Sequence, residues 1–133
     1  DPANLAHIRA VLDWEMATLG CPHMDLGTSL GYWIEAADPP ALRMFGCTAL
    51  PGNYSRAELI EAYEARTGRR VAHPVFYYAY GCAKIATIVE QIYARYARGL
   101  TQDERFAALP HVRDAALANA QRAIDLGRVS WGS

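Results

Sequence analysis

From Pro74 to Arg98 the apolar residues Ile85, Ile88, Val89, Ile92, Tyr93 and Tyr96 recur at three- and four-residue spacing. That spacing collects side chains on one stripe of an α-helix. Pro74 suits the first turn, where its missing N–H costs no hydrogen bond, and Gly99 suits a left-handed closing residue. Lys84, Gln91, Arg95 and Arg98 fall elsewhere on the circumference. A helix this long with one apolar side has to bury that side, so the stretch predicts a mainly α domain.

The remaining punctuation is also helical. Asp25 is placed to cap a helix carrying Leu26, Leu30, Trp33 and Ile34, which should stop near Ala37, ahead of Asp38-Pro39-Pro40. Residues 38–54, with three prolines and two glycines, read as a long surface loop on the substrate side. Ser55-Arg56-Ala57-Glu58 is a capping box opening a helix through Leu59, Ile60 and Tyr63 that Gly68 closes. Thr101-Gln102-Asp103-Glu104 reads as a second capping box, Pro110 breaks or restarts that helix, and Val112, Ala116, Ala120 and Ile124 stripe the last one to Gly127. The tail from Arg128 to Ser133 is expected to fray. Ile8 to Asp13 alternates as a strand does, and nothing else in the chain offers it a partner.

Composition narrows the function. With 52% hydrophobic residues the 133-residue chain can fill the core of one domain, and a net charge of -1 argues against nucleic acid or an acidic membrane as partner. Cys21, Cys47 and Cys82 are odd in number and form no CxxC pair, which fits reduced thiols in a cytoplasmic protein. No apolar run approaches the roughly 20 residues of a membrane span. The chain opens on Asp1-Pro2 without a Met, so its natural start is expected upstream.

Chemistry centres on Asp13, delivered at the end of Val11-Leu12-Asp13-Trp14-Glu15, with Asp25 following a Gly/Pro loop. A carboxylate held rigidly at a strand end can place Mg²⁺ against nucleotide phosphates. The plainer reading is a polar residue that ends a strand and caps the next turn. Trp33 and Arg95 are candidates for an acceptor wall, with core packing and solvated surface as their plainer readings. The four histidines are scattered without an HExxH pair, so a metal-hydrolase site is not expected.

The segment Ala10-Val11-Leu12-Asp13-Trp14-Glu15-Met16-Ala17-Thr18-Leu19-Gly20, with Pro22 and Asp25-Leu26, resembles the metal site of aminoglycoside-phosphotransferase and choline-kinase-like enzymes. It is most similar to the branch of the kinase domain fused to some acyl-CoA dehydrogenases. The likeness continues through Tyr63–Arg69, Gln91–Tyr96 and Asp103–Ala107. It implies that Asp13 binds Mg²⁺ and that Asp25 supports a neighbouring catalytic loop, while Glu15 stands where the family often has Glu. Where the family commonly shows Gly-Asp-Pro, this chain has Gly20-Cys21-Pro22.

The resemblance implies a protein-kinase-like fold of which this chain is the helical C-terminal subdomain with one short N-terminal β-strand: 1–24 the metal-site strand and loop, 25–133 the helical part. The family's His-Gly-Asp loop and its glycine-rich lobe with a strand lysine have no counterpart here, Lys84 being mid-helix and the only lysine. The expected function is therefore a piece of an ATP- and Mg²⁺-dependent phosphotransferase acting on a small-molecule hydroxyl. It would be inactive without the N-terminal lobe of the same protein, and would self-associate through the apolar surface that lobe covers. The alternative is a non-catalytic helical binding module on the same scaffold.

Overall fold

Helix α3 spans Pro74–Ala97, with Pro74 in its first turn and Gly99 at φ 72 beyond its end. In the computed structural model, which describes all residues except Leu5, Met16, Gly132 and Ser133, this helix is the axis of the molecule. Helix α1 (Pro22–Tyr32) lies along it, as does α4 (Leu109–Leu126), while α2 (Arg56–Thr67) caps one end of the core through Ile60. One buried cluster joins Leu26, Leu30, Ile60, Tyr78, Cys82 and Trp131; the other joins Ile34, Leu42, Ile85, Val89, Leu109 and Val112.

The buried face of α3 starts earlier than its apolar repeat. Tyr78, Gly81 and Cys82 are enclosed with Ile85, Ala86 and Val89, whereas Ile88, Ile92, Tyr93 and Tyr96 are half-buried. Glycine explains the shift. A Cβ on Gly81 would strike the Gly27 carbonyl, and one on Gly27 would strike that of Tyr77, so α1 and α3 touch backbone to backbone. Only residues without a side chain permit that approach.

Helix α1 departs from expectation at both ends. It begins at Pro22 with Cys21 as N-cap, and no side chain caps it; Asp25 sits in the first turn, where a carboxylate faces the positive end of the helix dipole. It stops at Tyr32 rather than Ala37 because side chains take over the backbone partners. Ile34 N–H donates to Thr48 Oγ1 (2.8 Å), and Glu35 N–H donates to Asp38 Oδ2 (2.8 Å). The 38–54 loop contains a 3₁₀ helix, Pro40–Phe45, whose Leu42 is buried.

Helix α2 follows the sequence closely. Ser55 Oγ accepts from Glu58 N–H, Glu58 Oε2 accepts from Ser55 N–H (2.7 Å), and Gly68 closes the helix at φ 68. The backbone and hydroxyl donors of Ser55 hold the Glu58 carboxyl below its ordinary pKa.

The second expected capping box does not form. Asp103, not Thr101, caps a 3₁₀ turn over Glu104–Ala108, because its carboxylate takes Arg105 N–H (3.0 Å) and is held by the Arg105 guanidinium (2.6 Å). In α4, Val112, Ala116 and Ala120 are buried but Ile124 is 57% exposed. Each four-residue step overshoots a turn by about 40°, so the row leaves the core and Asn119 and Ala123 take the inner positions.

Two further expectations fail. The strand over Ile8–Asp13 is absent; among the described residues none is in a strand. A strand needs a partner for its backbone groups, and here Ile8 and Leu12 stand 75% and 80% exposed. Conversely, the tail does not fray as far as it is described: Val129 and Trp131 are buried, while Gly132 and Ser133 lie outside the described residues. No helix among the described residues is long and apolar enough to cross a membrane.

Candidate functional site

Asp13 immediately precedes the backbone turn Trp14–Ala17. Trp14 folds back so that its indole N–H donates to Val11 C=O (2.7 Å), and Ala17 N–H donates to Trp14 C=O (2.9 Å). Asp13 itself is at φ 70, the left-handed region, which Asp tolerates better than most side chains. Its carboxylate is exposed and, among the described residues, makes no hydrogen bond or ion pair. Glu15 is likewise exposed. Met16, the next residue of the resembling segment, lies outside the described residues.

Beyond this turn the chain enters α1, and the two together wall a cleft of about 430 Å³. Trp14 and Thr18 line one side, Asp25 and Thr28 of α1 another, and Tyr80 and Lys84 of α3 the third. Lys84 Nζ donates to Thr28 Oγ1 (3.4 Å). The close glycine contact between α1 and α3 brings the α1 and α3 walls of this cleft together. Behind Asp25, His23 Nε2 and Tyr63 OH are buried without a hydrogen-bond partner among the described residues.

The other two candidates lie elsewhere. Trp33, just past the end of α1, donates its indole N–H to Tyr54 C=O (2.7 Å) and so staples the far end of the 38–54 loop. Arg95 is exposed in the last turn of α3, eleven residues beyond Lys84, or about 16 Å along the helix axis. Of the four residues singled out from the sequence, only Asp25 lines the cleft; Asp13 precedes the lining residue Trp14 in the chain but does not itself line it. Trp33 and Arg95 are not among its lining residues.

No all-protein metal cage exists among the described residues: no three His, Cys, Asp or Glu side chains converge. Mg²⁺ does not require one, because it is commonly held by one or two carboxylates together with phosphate oxygens and water. The Asp13 carboxylate, exposed and without a partner among the described residues, has the chemistry such a ligand needs.

The most elaborate polar cluster was not legible in the sequence. Arg56, fully buried, donates to Asp38 Oδ2 (2.7 Å) and Glu35 Oε2 (2.9 Å) and lies over the rings of Tyr78 (4.7 Å) and Trp131 (4.6 Å). Asn119 Nδ2 and Trp131 Nε1 also donate to Asp38 Oδ1 (3.0 and 2.9 Å). Burial by itself lowers the Arg56 pKa, but the Asp38 hydrogen bond and the nearby charges outweigh it and hold the guanidinium above its ordinary value. Burial raises the phenol of Tyr78 far beyond its usual range. In sequence, Arg56 was visible only as a residue inside a capping box and Asp38 only as a helix stop.

Residues 6–64 match the family model described as the phosphotransferase enzyme family, APH. The likeness is to phosphotransferases. The matched span contains Asp13, the Gly20–Pro22 loop, all of α1 with Asp25, and the start of α2. It supports kinship with the aminoglycoside phosphotransferase family, whose activity is phosphoryl transfer. No curated protein and no solved structure matches the chain.

Proposed function

We propose that this chain is the helical C-terminal part of an ATP-dependent phosphotransferase that transfers the γ-phosphate to a hydroxyl of a small molecule. The observation that carries the reading is the family match across both Asp13 and Asp25. An exposed Asp13 carboxylate with no partner among the described residues, and a second acid, Asp25, on the cleft wall, add to it.

In this reading Asp13 is the residue that holds Mg²⁺. The ion, when bound, bridges phosphate oxygens and neutralises the charge that develops on transfer. Asp25, in the first turn of α1 and without a partner among the described residues, orients the backbone of a catalytic loop that packs into the cleft. That loop and an ATP-cradling lobe have no motif in these residues and belong to another part of the polypeptide. The chain alone is then inactive, and its exposed Ile8, Val11, Leu12, Trp14 and Leu19 drive self-association when that part is missing. Trp33 and Arg95 act at most in shaping the acceptor side from a distance.

The decisive test is Asp13→Asn in the full-length protein, assayed for Mg²⁺-dependent transfer of labelled γ-phosphate from ATP to a panel of amino, sugar and acyl alcohols. A loss of about 10²-fold or more is expected, the scale for removing a group that stabilises transition-state charge. Substantially retained transfer would reject the metal role of Asp13. One observation favours a second reading, a non-catalytic module: the helical body forms both of its buried clusters without any described residue of 1–20. Full-length protein that transfers no phosphate to any alcohol, yet binds a small molecule equally well without Mg²⁺, would support it.

A further inference from the structure

Two carboxylates and one guanidinium are enclosed together at the Arg56 cluster, leaving one negative charge in excess. Neutral donors have to satisfy it, because an under-bonded charge in a low-dielectric interior is strongly unfavourable. The tail supplies two of them: Ser130 Oγ donates to Glu35 Oε1 (2.6 Å) and Trp131 Nε1 to Asp38 Oδ1 (2.9 Å). It also supplies an acceptor, Val129 C=O, for Arg56 Nε (2.6 Å). Two guanidinium groups lie over the Trp131 ring, those of Arg56 (4.6 Å) and Arg122 (4.7 Å).

The position of this cluster in the chain gives it a consequence. Asp38 immediately precedes the 39–54 loop and Arg56 almost immediately follows it. Arg56 Nη1 also donates to Trp33 C=O (3.1 Å), and Trp33 in turn holds Tyr54. Both feet of the loop are therefore fastened to one buried point. The loop forms walls of two adjoining grooves of about 720 and 290 Å³, which share Ala36, Ala49 and Leu50.

We infer that the Val129-Ser130-Trp131 tail is a clasp: closed on Arg56, it sets the position of the 39–54 loop and hence the shape of the grooves that the loop walls. With the tail closed, Glu35 and Asp38 are fully bonded and the loop feet stay together. With it open, the excess charge draws water to the cluster and the feet separate. The clasp does not depend on the phosphotransferase reading.

Backbone hydrogen exchange on the full chain tests this with Ser130→Ala, which deletes two hydrogen bonds at a partly exposed position, and Trp131→Phe, which keeps a ring but loses the Asp38 donor. Expected is at least tenfold faster exchange of the amides of Leu42, Gly46, Leu50 and Asn53, with α3 amides unchanged. Unchanged exchange in the loop would overturn the clasp. So would equal acceleration throughout α3, which would make the tail a general stabiliser only. Ser130→Ala carries the test if Trp131→Phe does not fold.

Discussion

Residues 22–131 and residues 1–20 solve the problem of charge in opposite ways. In the helical body, Arg56, Asp38 and Asn119 are enclosed and every one of them is bonded to the others or to the tail. In the N-terminal segment every described residue is exposed, and the carboxylate of Asp13 has no partner among the described residues. The first arrangement is one of stability, since a buried charge that loses its partner is penalised heavily. The second is one of availability, since a carboxylate without bonds has its lone pairs free for a ligand. The same residue type, Asp, serves both because of where the backbone places it.

This contrast can be broken most forcefully at Arg56. Arg56→Leu leaves Glu35 and Asp38 buried without their cation and should cost about 3–5 kcal/mol in chemical denaturation. A loss below 1 kcal/mol would mean that the cluster hydrates easily and that the contrast is overstated. A smaller effect is expected at the thiols. Cys21 and Cys47 are exposed and Cys82 buried, so a thiol reagent should modify two cysteines promptly and the third only on unfolding.

Burial pushes the Cys82 thiol from its ordinary value near 9 up to about 11. A group whose pKa is raised in the folded state favours folding while it stays protonated in both states. Its contribution is therefore full below pH 9 and falls between pH 9 and about 11. Cys82→Ala should flatten stability across that window, and an unchanged alkaline slope would count against it. The smallest effect belongs to Asp13→Asn, which touches no packed group and keeps a side chain tolerant of the left-handed region. Its stability should equal wild type within about 0.5 kcal/mol. A larger change would show that the segment is packed after all.

The phosphotransferase likeness was legible in residues 10–26, and the family model matches a span that covers them. Asp25 was read as the helix cap, whereas the structure makes Cys21 the N-cap and puts Asp25 inside the first turn, because the helix starts at Pro22. The Arg56 cluster was not legible, because its members, 35, 38, 56, 119 and 131, are scattered and each has an ordinary local explanation. The tail was misread for the same reason: a short C-terminal run after Gly127 has no periodicity, and its burial rests on partners mostly distant in sequence, Glu35, Asp38, Arg56 and Tyr78.

What the sequence determined by itself were the features that depend on neighbours in the chain. Pro74 and Gly99 bound α3, the Ser55–Glu58 pair opens α2, and glycines 68 and 127 close helices, because dihedral limits and capping bonds act over three or four residues. What only the tertiary structure decided were the features that need a distant partner. The 8–13 segment found none and stayed exposed, α1 surrendered its last turn to Thr48 and Asp38, and the tail closed on Arg56. The physical reason is that buried charge and unpaired backbone are resolved by whatever the fold brings near, and sequence spacing does not carry that information.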